Sequence, residues 1–266
     1  MITVEKGQLQ YLTSELLGEL PHCFSTRFGG VSEGCLSSLN LGTHRGDKAE
    51  NVWENYRILG DAVGFRPENT VFTKQIHSDI IEKVDPSHRG RGLLREAREG
   101  CDALVTNHRN VALTVFSADC TPILFYDPVA QAIGAAHAGW RGTAAGIAAK
   151  VVETMTREFG CQAENIRVAI GPCISQCCFE TDADVPTAMI EALGEEAQGC
   201  ILPKGEKYYV NLKALNALWL RRAGVRHIDI AEECTACEPH RFWSHRRVGN
   251  ERGSLAAIIQ LGGTAP

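Results

Sequence analysis

Three short segments each carry one side chain able to bind a soft or borderline metal: Gln75-Ile76-His77, Ala118-Asp119-Cys120-Thr121-Pro122 and His137-Ala138-Gly139-Trp140-Arg141-Gly142-Thr143. One thiolate and two imidazoles suit zinc or copper, and three such ligands leave a fourth position open for water or substrate, as in catalytic zinc sites. Ile123 to Tyr126 and Gln131 to Ala136 read as strands around the turn Asp127-Pro128-Val129-Ala130. In a hairpin closed by that turn, Cys120 stands directly opposite His137, with Cβ atoms about 5 Å apart. Pro122 disturbs such a ladder because it has no N–H. His77 must then arrive from elsewhere in the fold.

Further residues around these segments suit an anion. Gly139 and Gly142 permit a sharp turn, a helix is expected to start at or just after Thr143, and its free N–H groups with Arg141 would bind a phosphate beside the metal. Ser25-Thr26-Arg27 and Ser244-His245-Arg246-Arg247 offer other guanidinium groups for phosphate or carboxylate. Asp119 is a candidate acid–base group or partner of a ligand, or simply a turn residue. A separate stretch, Cys234-Thr235-Ala236-Cys237-Glu238-Pro239-His240 with His245 nearby, has the C-x-x-C spacing of a structural zinc knuckle. A domain of this size can bury enough apolar surface to fold without such a staple, and Cys173, Cys177 and Cys178 rank behind it as ligands.

The elements that must hold these residues mix without a regular alternation. Strands are expected at Val71 to His77, Ile80 to Val84, Ala103 to Thr106, Val111 to Ser117, Ile166 to Ile170 and Leu255 to Leu261. Helices are expected near Glu50 to Val63, from Thr143 to Phe159, and at Asp184 to Leu193 and Asn211 to Ala223. The charged cluster His88 to Arg98 reads as a solvated loop or short helix. The expected fold is α+β, one domain over residues 1–266, with mixed sheets flanked by helices.

Composition narrows the partners. Lys and Arg total 27 against 32 Asp and Glu, a formal charge of −5 that gives no general attraction to nucleic acid or anionic membranes. A small-molecule partner fits better, and the oligomeric state is left open. No run approaches the ~20 apolar residues of a membrane helix, and Met1 to Gly7 lacks the apolar core of a signal peptide, so a cytoplasmic location is expected. The 11 cysteines are then expected to be reduced.

Read together, Ser25-Thr26-Arg27-Phe28-Gly29-Gly30-Val31-Ser32, Ser38-Leu39-Asn40-Leu41-Gly42, Gln75-Ile76-His77, Ala118-Asp119-Cys120-Thr121-Pro122-Ile123-Leu124, His137-Ala138-Gly139-Trp140-Arg141-Gly142-Thr143, Gly171-Pro172-Cys173-Ile174 and Phe242-Trp243-Ser244-His245-Arg246-Arg247 resemble, in order, the bacterial laccase-domain family. That family is described both as multicopper polyphenol oxidase and as purine nucleoside phosphorylase. The resemblance implies metal ligation by His77, Cys120 and His137, with Arg27, Asn40, Asp119, Arg141 and Arg246 as substrate- or phosphate-binding residues. It also implies zinc, or alternatively copper. The implied reactions are phosphorolysis of adenosine, inosine and methylthioadenosine, deamination of adenosine, and copper-dependent oxidation of phenols. A non-catalytic role in editing cell-wall precursors is a further alternative. The chain departs from the family at Val248-Gly249-Asn250-Glu251-Arg252-Gly253, where a Thr-Gly-Arg-like turn is usual, so a substrate role is not carried over to Arg252.

Overall fold

The computed structural model describes residues 1–97 and 100–262. Two six-stranded mixed sheets pack face to face. The first runs, in spatial order, Ile2–Lys6, Leu9–Thr13, His22–Ser25, Leu255–Gln260, Ala112–Ser117 and Thr70–Val71. The second runs His227–Ile230, Arg167–Ile170, Thr121–Asp127, Ala132–Ala138, Ala103–Thr106 and Ile81–Lys83. A small third sheet joins Glu180–Thr181, Lys207–Val210 and Ile201–Lys204.

Side-chain alternation along the strands builds the layers. Leu255, Ala257 and Ile259 face the second sheet and meet Leu113, Val115, Leu124 and Ile133, whereas Ala256 and Ile258 turn outward against Val52, Tyr56 and Leu59 of the helix Ala49–Val63. On the second sheet Ile123, Phe125, Ala136 and Val168 face away from the first. They pack on Ile147, Val151, Val152 and Met155 of Ile147–Phe159 and on Ala217 and Leu220 of Leu212–Arg222. The central strands are buried on both faces, which is why they read as nearly continuous apolar runs. The expected α+β class, with mixed sheets between helices in a single domain, is what the chain adopts.

Three local expectations are corrected. The hairpin pairs Thr121 with Ala138 and Pro122 with His137, so the ladder is shifted by two residues and Cys120 precedes the strand. The turn keeps four residues but moves one position along, to 128–131, with Asp127 still paired to Ala132 and its carboxylate capping Val129 and Ala130. The segment after Val71 leaves the sheet. There the Gln75 amide takes the place of a strand backbone: its Nε2 donates to the Phe116 carbonyl (2.9 Å), and its Oε1 accepts from the Phe116 N–H (2.7 Å). Finally, the helix expected from Thr143 begins at Trp140 and is broken into Trp140–Ala144 and Ile147–Phe159 by Gly146, whose φ of 74° stops the first piece. In the charged cluster, Arg91 is buried and forms a two-pronged ion pair with Glu82 (2.7 and 2.8 Å). Arg98 of that cluster lies outside the described residues.

Candidate metal centre

Cys120 sits in the turn Ala118-Asp119-Cys120, by which the chain leaves Ala112–Ser117 of the first sheet and enters Thr121–Asp127 of the second. Asp119 holds that turn at a φ of 90°, accepting from the Thr235 hydroxyl and from the Arg246 backbone N–H, each at 2.6 Å. His137 is the penultimate residue of Ala132–Ala138, and His77 lies on a loop with its own φ at 60°. The donor atoms of His77, Cys120 and His137 all fall within 4.8 Å of one another. Cys120 Sγ is 3.9 Å from His77 Nε2, and the two imidazoles stand edge to face with centroids 5.0 Å apart. Close approach of the next strand end requires Gly139: a Cβ there would lie 2.8 Å from His77 Cδ2 and 3.3 Å from Cys120 Sγ.

Asp102, which sequence reading did not single out, organises this group. Its Oδ1 meets His137 Nδ1 at 2.9 Å and accepts from the His77 N–H at 3.0 Å. Its Oδ2 accepts from the N–H groups of Ile76 and Ser78 and from the Ser78 hydroxyl. Burial would raise this carboxyl, yet the bonds from His137 and Ser78 hold it down at about 2. A carboxylate on Nδ1 directs Nε2 of His137 to the metal position, the usual arrangement behind a ligating histidine. The only local signal was an acid immediately before the apolar run Ala103 to Val105.

The electrostatics agree with the donor set. Burial would push the Cys120 thiol up, but the facing His137 and the bonds from His137 and His77 bring it down to about 6. His137 is conversely raised to about 9: the Cys120 thiolate and Asp102 outweigh the burial that would lower it. A thiolate and two imidazoles converging on one point, with one imidazole braced by a carboxylate, fit a zinc or copper ion.

The group opens on a cavity of about 560 Å³, within the range of small-molecule sites. Phe72, Phe116 and Phe179 give it apolar walls, and Arg45 and Arg252 bring two cations into it. Arg252 is only 8% exposed; one Nη donates to the Gly253 carbonyl (3.0 Å), while its buried Nε has no hydrogen-bond partner among the described residues. Burial and the neighbouring Arg45 lower the Arg252 guanidinium to about 10, so it stays charged at neutral pH. Such a pair is suited to an anion.

The other residues expected to bind substrate fall differently. Arg246 lines the cavity, but its two Nη atoms donate to the carbonyls of Cys178 and Glu180, each at 3.0 Å. Arg27 is not in the cavity wall: it stacks on Trp243 (3.8 Å) and donates to the Ser37 and Pro239 carbonyls. Arg141 is exposed and lies over Trp140, away from the cavity lining. Asn40 is fully buried and braces the wall by accepting from the N–H groups of Gly42 and Ser254. The anion-binding role expected of Arg27 and Arg141 is therefore better placed on Arg45 and Arg252, which no local sequence pattern links.

The sequence pattern described as "Multi-copper polyphenol oxidoreductase laccase" matches residues 21–262. The chain belongs to this laccase family. Among its relatives, "Purine nucleoside phosphorylase YlmD" of Geobacillus stearothermophilus is 40% identical over 243 residues, covering 88% of each chain. "Purine nucleoside phosphorylase LACC1" of Homo sapiens is 34% identical over 267 residues, which are 96% of this laccase-family chain and 59% of the human one. The crystal structure of YlmD from Geobacillus stearothermophilus matches the fold with a TM-score of 0.93 at 35% identity, covering 98% and 99% of the two chains. The family description and the relatives' names thus point to two chemistries, oxidation and phosphorolysis. No helix among the described residues is long and apolar enough to cross a membrane.

Proposed function

We propose that this laccase-family protein is a zinc-dependent purine nucleoside phosphorylase. The observation that carries the proposal is the meeting, in one cavity, of the His77, Cys120 and His137 donors with the incompletely paired guanidinium of Arg252 and its neighbour Arg45. Phosphorolysis joins a phosphate oxygen to C1′ of the ribose as the C1′–N9 bond breaks, and a proton passes to the departing purine. Ribose 1-phosphate and free base result. Arg45 and Arg252 hold the phosphate and oppose its charge, while Phe72, Phe116 and Phe179 take the flat base and keep water from it. Asp102 fixes His137, and through the N–H groups of residues 76–78 it fixes the loop bearing His77. Bound zinc supplies a Lewis acid and lowers the pKa of a water toward about 7. Adenosine, inosine and methylthioadenosine are the proposed substrates; the proposed deamination of adenosine in the same cavity is a separate step, in which water adds at C6 of the purine and ammonia leaves to give inosine with the C1′–N9 bond intact. The proposed setting is the cytoplasm.

The test is release of free base from adenosine and inosine, with and without phosphate, by protein of measured metal content. Base and ribose 1-phosphate that appear only with phosphate, and not with Cys120→Ala, support the reading; undiminished release by Cys120→Ala rejects the site.

Two histidines and a cysteine are also the donor set of blue-copper centres, and the family description names copper. Four-electron reduction of oxygen normally draws on several coppers. The second metal-competent group among the described residues offers four thiols and no imidazole. Oxygen uptake with a phenol at stoichiometric copper, without phosphorolysis, would reverse the preference.

A further inference from the structure

Outside the cavity, Cys177, Cys178, Cys234 and Cys237 place their four sulfurs within 4.8 Å of one another. Individual separations are 3.5 Å for Cys177 to Cys237, 3.4 Å for Cys178 to Cys237 and 3.7 Å for Cys177 to Cys178. A tetrahedral zinc ion bonded at about 2.3 Å sets its sulfurs about 3.8 Å apart. Adjacent residues ordinarily direct their side chains apart. Here the chain bends, with the N–H groups of Cys178 and Phe179 both donating to the Ser175 carbonyl at 3.0 Å, and the two sulfurs come to one side. The Ser175 N–H donates to Cys234 Sγ at 3.3 Å, the kind of contact that supports a ligating thiolate. Cys177 and Cys237 are exposed, so an ion has a path in. All four thiols are free of disulfides. His240 and His245, the partners that the C-x-x-C stretch suggested, are not in the group; His245 Nδ1 instead meets the Gly249 carbonyl at 2.9 Å.

We infer that these four cysteines form a second, closed zinc site that is structural, holding two loops of the cavity wall together. One loop follows Arg167–Ile170 and carries Ile174 and Phe179; the other follows His227–Ile230 and leads to His245 and Arg246. The loops already touch through the bridge between Cys173 and Cys234 and through Arg246, which donates to the Cys178 and Glu180 carbonyls. Four thiolates complete the shell of the ion, so the site leaves no position for substrate.

Metal content decides this. Protein purified under reducing conditions, loaded with zinc and freed of excess should hold two zinc ions per chain, whereas Cys120→Ser and Cys237→Ser should each hold one. With cobalt in place of zinc, the strong absorption of an all-thiolate tetrahedral ion should persist in Cys120→Ser and vanish in Cys237→Ser. Cys237→Ser should also raise KM severalfold with a smaller change in kcat, as expected of a loosened wall. One zinc per wild-type chain that is lost in Cys120→Ser overturns the inference, even if Cys237→Ser does not fold. So does a Cys178–Cys237 disulfide found by mass spectrometry in the zinc-loaded protein.

Discussion

The His77, Cys120 and His137 group and the four-cysteine group solve opposite problems with similar ligands. The first joins a loop donor, His77, to two donors from one hairpin, Cys120 and His137, buries His137 and rests it on a carboxylate with five polar contacts. The second draws two pairs from two loops, stands partly in solvent, and holds the sulfurs of Cys177, Cys178 and Cys237 3.4–3.7 Å apart, close to the spacing in a zinc tetrahedron, with Cys234 within 4.8 Å of them. Three ligands beside a cavity leave room for a reactant, and four ligands at a loop junction leave none. Position and ligand number, more than ligand identity, separate a reactive ion from a structural one.

The strongest way to break this contrast is Cys120→Ala. With the ion gone, several kcal/mol of charge stabilisation go too, so phosphorolysis should fall by about a thousandfold or more. Initial rates measured at saturating phosphate check this. A next test removes only the brace. Asp102→Asn should lower zinc affinity of the cavity site by about 10- to 100-fold, read by competition with a chelator, and leave the thiolate site filled. Smaller again is Arg252→Gln. Loss of a charge-assisted contact of about 1.5–3 kcal/mol should raise KM for phosphate by roughly tenfold or more while KM for nucleoside stays near its wild-type value.

The subtlest test is a proton count. In the metal-free cavity site Cys120, lowered to about 6, is already a thiolate at pH 7.5, and His137, raised to about 9, still carries its proton. Zinc binding to that pair should therefore release about one proton, and affinity should rise roughly tenfold per pH unit between pH 6 and 9, falling again as acid is added. Calorimetry of Cys237→Ser in buffers of different ionisation enthalpy measures this number for the cavity site alone.

Much of this was legible in the sequence. The helices Ala49–Val63, Asp184–Leu193 and Leu212–Arg222 lie where apolar spacing places them, and Asn211 caps the last by accepting from the Ala214 N–H. The three metal-competent residues do converge, although by a different register from the one expected. Pro122, the residue that made the first register awkward, is itself opposite His137. Other features left no local trace. Ile2–Lys6 is a mostly exposed edge strand whose identity comes from pairing with Leu9–Thr13 rather than from its own pattern. Val71 to His77 has strand-like composition, yet Gln75 satisfies the Phe116 backbone through a side chain, which no periodicity reveals. Arg45 and Arg252 become neighbours only through the fold, and Cys177 and Cys178 become partners of Cys234 only because Cys173 and Cys234 lie in parallel register.

The turn at Ala118-Asp119-Cys120 has a mechanical meaning as well. It is the point at which the chain crosses from one sheet to the other, and His137 stands on the second sheet a short distance away. An ion held by Cys120, His137 and the loop of His77 would therefore rivet the seam between the two sheets. Sliding of one sheet over the other would tear the coordination sphere, and occupancy of the site in turn resists that sliding.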